Sequence, residues 1–157
     1  MFTFTPLRPA DLSRLRLWLM MPHVRAWWGD PDAGIREICR LMASDWAEPM
    51  LVAWQGRQIG YLQAYDAVSA APDGDAVPGS FGIDLFIGEP SYVGKGLGTA
   101  FVGAYTDRLL RGGRALSIIA RPAPANHRAI RCLEHAGFRL LGDGDGRVLT
   151  MGKDRSG

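Results

Sequence analysis

The stretch Val93-Gly94-Lys95-Gly96-Leu97-Gly98-Thr99 restricts this chain more than any other part of it. Three glycines at alternate positions lie between an apolar, strand-like run, Phe81–Ile87, and a segment of helical apolar spacing, Thr99–Leu110. Glycine leaves the backbone N–H groups uncovered and admits positive φ. A helix that starts there aims the positive end of its dipole at the same spot. The segment therefore reads as a strand-to-helix turn able to hold an anion through main-chain amides. It lacks the GxxxxGK[ST] of a P-loop, and no early βαβ unit surrounds it as a dinucleotide fingerprint requires. Taken alone, the same residues serve equally well as a tight structural turn.

The flanking segments set the frame. Phe2 to Leu7 alternates apolar and polar residues, as a half-buried strand does. A helix is expected from Asp11 or Ser13, with Leu12, Leu15, Leu17 and Leu19 on its apolar side and Pro22 at its end. His23–Asp32, with Trp27 and Trp28, reads as a short helix or loop closed by Gly29 and Pro31. Residues 33–47 repeat Ile35, Ile38, Leu41 and Met42 at helical spacing. Strands follow at 50–55 and 58–66 around the hairpin Gln55-Gly56-Arg57-Gln58, and a Gly/Pro/Asp loop occupies 67–80. Beyond the glycine turn come a strand at Ala115–Ala120, a helix at 125–136 stopped by Gly137, and terminal strands Phe138–Leu141 and Val148–Met151 around a turn at Asp143–Gly146. The expectation is one α/β domain over residues 1–157. That length suits a single core, which buries roughly 70% of the unfolded chain's surface.

Composition narrows the classes. Cys39 and Cys132 form no CxxC pair, so a disulfide framework and a structural zinc site are excluded, and two buried thiols in a reduced, cytoplasmic chain are expected. No apolar stretch approaches the ~20 residues of a membrane span, and Met1 to Ala10 carries no signal-peptide pattern. Residues 58–94 hold five acids, Asp66, Asp73, Asp75, Asp84 and Glu89, and no Arg or Lys. Residues 95–157 hold eleven Arg and Lys against five acids. The middle thus suits a cationic partner and the last third an anionic one. Nucleic acid is a poor candidate, because no basic run is interleaved with aromatics.

About thirty residues after the glycine turn stands Asn126-x-x-Ala129, followed by Ala136-Gly137-Phe138. With the turn and the element order, this pattern resembles the GNAT superfamily of N-acetyltransferases. Their acetyl-CoA site is a Q/R-x-x-G-x-G/A turn followed by N-x-x-A-x-x-x-Y-x-x-x-G-F. Within that superfamily the chain is similar to the aminoglycoside 6'-N-acetyltransferases and the related siderophore acyltransferases. Trp18-Leu19, His23, Trp27-Trp28-Gly29, Ile59-Gly60-Tyr61, Gln63, Tyr65, Gly82-Ile83-Asp84 and Asn126 to Cys132 carry that likeness.

The resemblance implies a mixed, mostly antiparallel sheet flanked by helices, with splayed central strands. It implies acetyl-CoA as co-substrate, no metal, and a small-molecule amine as acceptor, in a monomer or homodimer. Val93, Gly94, Lys95, Gly96, Gly98 and Thr99 would hold the pyrophosphate. Asn126 would hydrogen-bond the pantetheine arm or the attacking region, and Arg128 and Arg131 are candidate contacts to the CoA phosphates, with a solvated helix face as the alternative. Asp84 would bind the acceptor's ammonium and take its proton, since a carboxylate inside an apolar strand needs a reason to be there. A backbone N–H near Phe86 or Ile87 would polarise the acetyl carbonyl. Trp27, Trp28 and Tyr65 are candidate walls of the acceptor site or plain core, and His23 reads as structural.

Two positions depart from the family pattern. Leu133 stands where the general-acid tyrosine is usual, leaving Tyr92, water or an unassisted thiolate. Arg121 precedes Pro122 where the aminoglycoside enzymes carry an Asp. It either faces the cleft or turns to solvent or to Asp84 or Glu89. The leading expectation is N-acetylation of a small primary amine, an aminoglycoside among the candidates. The alternatives are acylation of a hydroxylamine or lysine-derived siderophore precursor, and a catalytically weak CoA-binding domain.

Overall fold

A computed structural model describes residues 1–142 and 146–155. Its scaffold is a sheet of seven strands among the described residues, in the order β1-β2-β3-β4-β5-β7-β6. These are β1 (Phe2–Pro6), β2 (Ala47–Trp54), β3 (Arg57–Asp66), β4 (Ser80–Ile87), β5 (Ser117–Ala120), β6 (Arg139–Gly142) and β7 (Thr150–Asp154). All neighbours run antiparallel except β4 and β5, which run parallel. The helices are α1 (Leu12–Met20), α2 (Pro22–Trp28), α3 (Pro31–Met42), the single turn α4 (Ala67–Ala70), α5 (Leu97–Arg111) and α6 (His127–His135).

Alternation along the strands divides the core between the two faces of the sheet. Leu51, Tyr61 and Phe86 face α1, α2 and α3, where Leu15, Trp18, Leu19, Val24 and Ile38 complete one cluster. Val52, Leu62 and Ile83 face the other way, onto Phe101, Val102, Tyr105 and Leu109 of α5 and Leu133 of α6. The side chains of β4 therefore separate cleanly. Gly82, Asp84 and Phe86 share the α1–α3 face, and Ile83, Leu85 and Ile87 share the α5 face.

The parallel pairing is short. Ser80, Phe81 and Gly82 pair with Ser117, Ile118 and Ile119, and there the contact between β4 and β5 ends. β4 continues to Ile87 along β3 alone, so the two central strands part after Gly82. The expected mixed, mostly antiparallel and splayed sheet is the one observed. The Gly88 N–H donates to the Ile59 carbonyl at 2.8 Å, which sets the phase of the β3–β4 ladder. Counting back, Phe86 and Asp84 direct their main-chain groups to β3, and the amides of Leu85 and Ile87 turn into the gap.

Several boundaries differ from the sequence reading for physical reasons. α5 begins at Leu97, two residues early, because Gly96 adopts the left-handed conformation (φ 77°) and can cap the helix without a side chain. Pro22 ends α1 and also occupies the first turn of α2, where its missing N–H costs nothing. In α1 the buried side chains are Leu15, Trp18 and Leu19, and Leu17 is exposed, since at 100° per residue it lies off that stripe. Cys39 is exposed and Cys132 half-buried, so the two thiols are not both core residues; Cys39 follows Ile38 and turns away from the stripe of α3. β7 runs over Thr150–Asp154, later than expected. Three positions of the turn expected at Asp143–Gly146 lie outside the described residues. No helix among the described residues is long and apolar enough to cross a membrane.

Candidate functional site

Asp84 is held by residues of the same sheet face. Its register partner Gln63, buried on β3, donates from Nε2 to Asp84 Oδ2 at 2.9 Å. The amide of Gln63 is oriented in turn by the Tyr61 hydroxyl, which donates to Oε1 at 2.8 Å. Tyr65, two residues further along β3, also hydrogen-bonds Asp84. Its ring lies over Gly82, where a Cβ would stand 2.3 Å from a ring carbon, so only glycine admits it there. Burial raises the proton affinity of Asp84 above the ordinary carboxylate value. The hydrogen bonds from Gln63 and Tyr65 pull it back, Glu37 raises it further, and the charge of Arg121 lowers it. Burial and the adjacent Asp84 also push the Tyr65 phenol upward, which keeps it protonated and a donor.

The glycine turn lies where β4 gives way to α5. Gly94 and Gly96 have φ of 79° and 77°, and an added Cβ at either would meet nothing within 4 Å. The requirement for glycine is therefore conformational, and the space in front of both is open. No side chain caps α5, so the amides of Leu97, Gly98 and Thr99 in its first turn take no side-chain partner at the cap. The Thr99 hydroxyl meets Cys132 of α6, which ties the two helices beside the turn. Lys95 is exposed between the two left-handed glycines.

Two clefts open on these elements. One, of about 340 Å³, fills the gap between the parted strands and is lined by Trp27, Trp28, Leu85, Ala120, Pro122, Asn126 and Leu133 among others. The second, of about 370 Å³, lies against β3, α3 and α4, with Glu37, Gln63, Tyr65, Asp75 and Gly82 in its wall. Among the described residues only Asp84 and Arg121 line both. Chemically, this arrangement can bring two reactants together at one carboxylate, each arriving through its own opening.

The remaining expected residues fall as follows. Trp28 packs edge-on against Tyr61 and Phe86 and lines the gap, and the more exposed Trp27 lines it too. The Phe86 side chain is core, and its main chain belongs to the β3 ladder; of the two amides expected to polarise a carbonyl, that of Ile87 is the one turned into the gap. His23 Nε2 donates to the Ile87 carbonyl at 2.8 Å, in keeping with a structural role. Asn126 caps α6 by accepting from the Ala129 N–H at 3.2 Å and also lines the gap. Arg128 and Arg131 are exposed on α6, and Val93 is half-buried ahead of the turn. Arg121 faces the clefts and does not pair with Glu89, which is held by Trp18 Nε1 at 3.1 Å and Arg14 at 3.7 Å. Leu133 is buried, and Tyr92, packed on Trp54, lines neither cleft. Glu37 and Asp75 were not foreseen as site residues. Glu37 lies on the polar face of α3, and no local signal distinguishes it from any solvated helix acid.

A splayed α/β sheet with an uncapped glycine turn at the gap and a carboxylate at the junction defines an acyltransferase. The family model of the acetyltransferase (GNAT) domain matches residues 8–145, and the chain belongs to that family. Among known relatives, it is 36% identical over 143 residues to aminoglycoside N(6')-acetyltransferase type 1 of Klebsiella pneumoniae, covering 84% of this chain and 71% of that protein. It is 45% identical over 65 residues to a kanamycin resistance protein of Rhizobium radiobacter, covering 41% of this chain and 60% of that protein. The structure of aminoglycoside acetyltransferase AAC(6')-Ib with coenzyme A superposes with a TM-score of 0.87 at 34% identity, covering 99% and 96% of the two chains. The same enzyme with coenzyme A and kanamycin gives 0.86 at 33%, again covering 99% and 96%.

Proposed function

We propose that this chain transfers the acetyl group of acetyl-CoA to a primary amine of a small molecule, specifically the 6'-amine of an aminoglycoside. The observation that carries this reading is the convergence of two clefts on Asp84, one of them opening between the parted strands. The named acceptor follows from the relatives, an aminoglycoside N(6')-acetyltransferase and a kanamycin resistance protein. The half-exposed glycine turn fits a pyrophosphate, since its first-turn amides are uncapped and the space before Gly94 and Gly96 is free. The gap fits an extended pantetheine arm, with Asn126, Ala129 and Leu133 along its α6 side. Arg128 and Arg131 supply positive charge on the exposed face of the same helix. Bound there, acetyl-CoA supplies an acetyl thioester, the electrophile.

The chain's own residues do the rest. An amine attacks only as the free base. Asp84 accepts a hydrogen bond from the incoming ammonium and takes one proton onto a carboxylate oxygen, a task its raised proton affinity suits. Gln63 and Tyr65 keep that carboxylate aimed at the junction. The amides of Leu85 and Ile87, free of the β3 ladder, offer donors to a carbonyl oxygen in the gap. Trp27 and Trp28 give the gap an aromatic wall. Among the described residues no tyrosine lines the donor-side cleft, so no tyrosine stands in for Leu133 there, and as the C–N bond forms and the C–S bond breaks the coenzyme A sulfur would leave as the thiolate.

The test is thiol release from acetyl-CoA with kanamycin A as acceptor, joined to growth of a susceptible bacterium expressing the chain on kanamycin. Stoichiometric thiol and acetylated kanamycin, with raised tolerance, are expected. Binding of coenzyme A with no release for any aminoglycoside contradicts the acceptor assignment.

A further inference from the structure

Arg121 is a cation placed where an ammonium must arrive. It follows β5 directly, at the position where β5 and β4 have parted, and with Asp84 it lines both clefts. Among the described residues it forms no ion pair. Glu89 is occupied by Trp18 and Arg14, and Glu37 is paired with Arg40 at 2.7 Å. Its charge nevertheless reaches Asp84 and Tyr65. The acceptor-side cleft is therefore polarised along its length. At the junction stand one carboxylate, Asp84, and one guanidinium, Arg121; toward α3 and the 71–79 segment stand Asp75 and the ion pair of Glu37 with Arg40.

This arrangement has a consequence for an acceptor with several amines. The reacting ammonium engages Asp84, the one carboxylate at the junction. A second ammonium on the same sugar ring would meet Arg121 with no free carboxylate to offset it, whereas ammoniums on more distant rings would lie toward Asp75 and the Glu37–Arg40 pair. We propose that Arg121 is a specificity-determining residue. It selects acceptors whose sugar ring bearing the reacting amine carries hydroxyls or an anionic group at its other positions, and it disfavours those carrying a second ammonium on that ring. The inference rests on the amine-acceptor reading above and adds the charge pattern of the acceptor. Because Arg121 is exposed, solvent screens it, and the discrimination falls at about ten- to a hundredfold at low salt.

Kanamycin A and kanamycin B test it as a matched pair, since they share a skeleton and differ only in a hydroxyl or an amine at the 2' position of the ring bearing the 6'-amine. The measurement is kcat/KM for each with the wild type, Arg121→Lys, Arg121→Gln and Arg121→Asp, at low and at high salt. The wild type and Arg121→Lys should favour kanamycin A by about tenfold or more, with the ratio shrinking at high salt. Arg121→Gln should bring the ratio near one and Arg121→Asp should invert it, with melting temperatures unchanged. A wild-type ratio near one, or a ratio that Arg121→Gln leaves in place, overturns the inference while the aminoglycoside reading stands. If neither kanamycin is acetylated, that reading fails, and the charge rule is measured on methyl 6-amino-6-deoxyglucoside against its 2,6-diamino counterpart. Equal rates for those two, or none for either, overturn the inference as well.

Discussion

Asp84 is subject to two opposed requirements, and both can be measured. Burial holds its folded proton affinity above that of the unfolded chain. Between those two values the folded state binds more protons, so this residue's contribution to stability falls as pH rises through that window and stays unfavourable above it. Asp84→Asn should therefore melt higher than the wild type at pH 7, by roughly 2–4 °C for each kcal/mol recovered, with the difference vanishing near pH 3. The same substitution should lower kcat by on the order of 10²–10⁴-fold. The wild-type pH profile should lose activity as Asp84 protonates on the acid side, above the ordinary carboxylate range. Tyr65→Phe removes one hydrogen bond that favours the ionised form, so its acid limb should move to higher pH. An unmoved limb would separate Tyr65 from the function of Asp84.

At the scale of elements, the turn from β4 into α5 and the end of the β4–β5 pairing build the site together. The turn depends on two left-handed glycines with open space before them, so Gly96→Ala acts through backbone conformation alone. We expect about a tenfold rise in the dissociation constant for coenzyme A, read by calorimetry, with a loss of stability of about 1–2 kcal/mol. Gly82→Ala acts through contact, displacing the Tyr65 ring. The turn was legible from sequence because it is local: three alternate glycines between a strand run and a helix run leave few conformations. Asp84 was legible because an acid interrupts an apolar strand. The point at which β4 and β5 part was not, since it depends on pairing between positions 37 residues apart, such as Ser80 and Ser117, and on where β5 ends. The family resemblance supplied that splay. Gln63 entered only as one of the residues carrying the family likeness, and its bond to Asp84 follows only from the β3–β4 register.

Across the whole molecule, the gap stays open because the strands that form it are anchored elsewhere. On the β5 side that anchor includes Lys153 of β7, a buried ammonium that donates to Thr106 at 2.8 Å and pairs with Asp107 at 2.9 Å, both on α5. Lys153→Met should cost about 1.5–3 kcal/mol in urea unfolding, because Asp107 is half-exposed and regains water when its partner is lost. The coenzyme affinity of the folded fraction should stay near that of the wild type. The charge distribution fits the same division of labour: the acids of residues 58–94 furnish Asp75 and Asp84 of the acceptor-side cleft, and the basic last third furnishes the exposed arginines of α6 beside the glycine turn.

The most direct test of the central claim, that donor and acceptor arrive by separate clefts and meet at Asp84, pairs calorimetry with acetyl-CoA thiol release on the wild type and Asp84→Asn. Both proteins should bind coenzyme A with closely similar affinity, and only the wild type should release thiol rapidly when kanamycin A is added. Wild-type release in Asp84→Asn, or no binding of coenzyme A by either protein, would contradict the account.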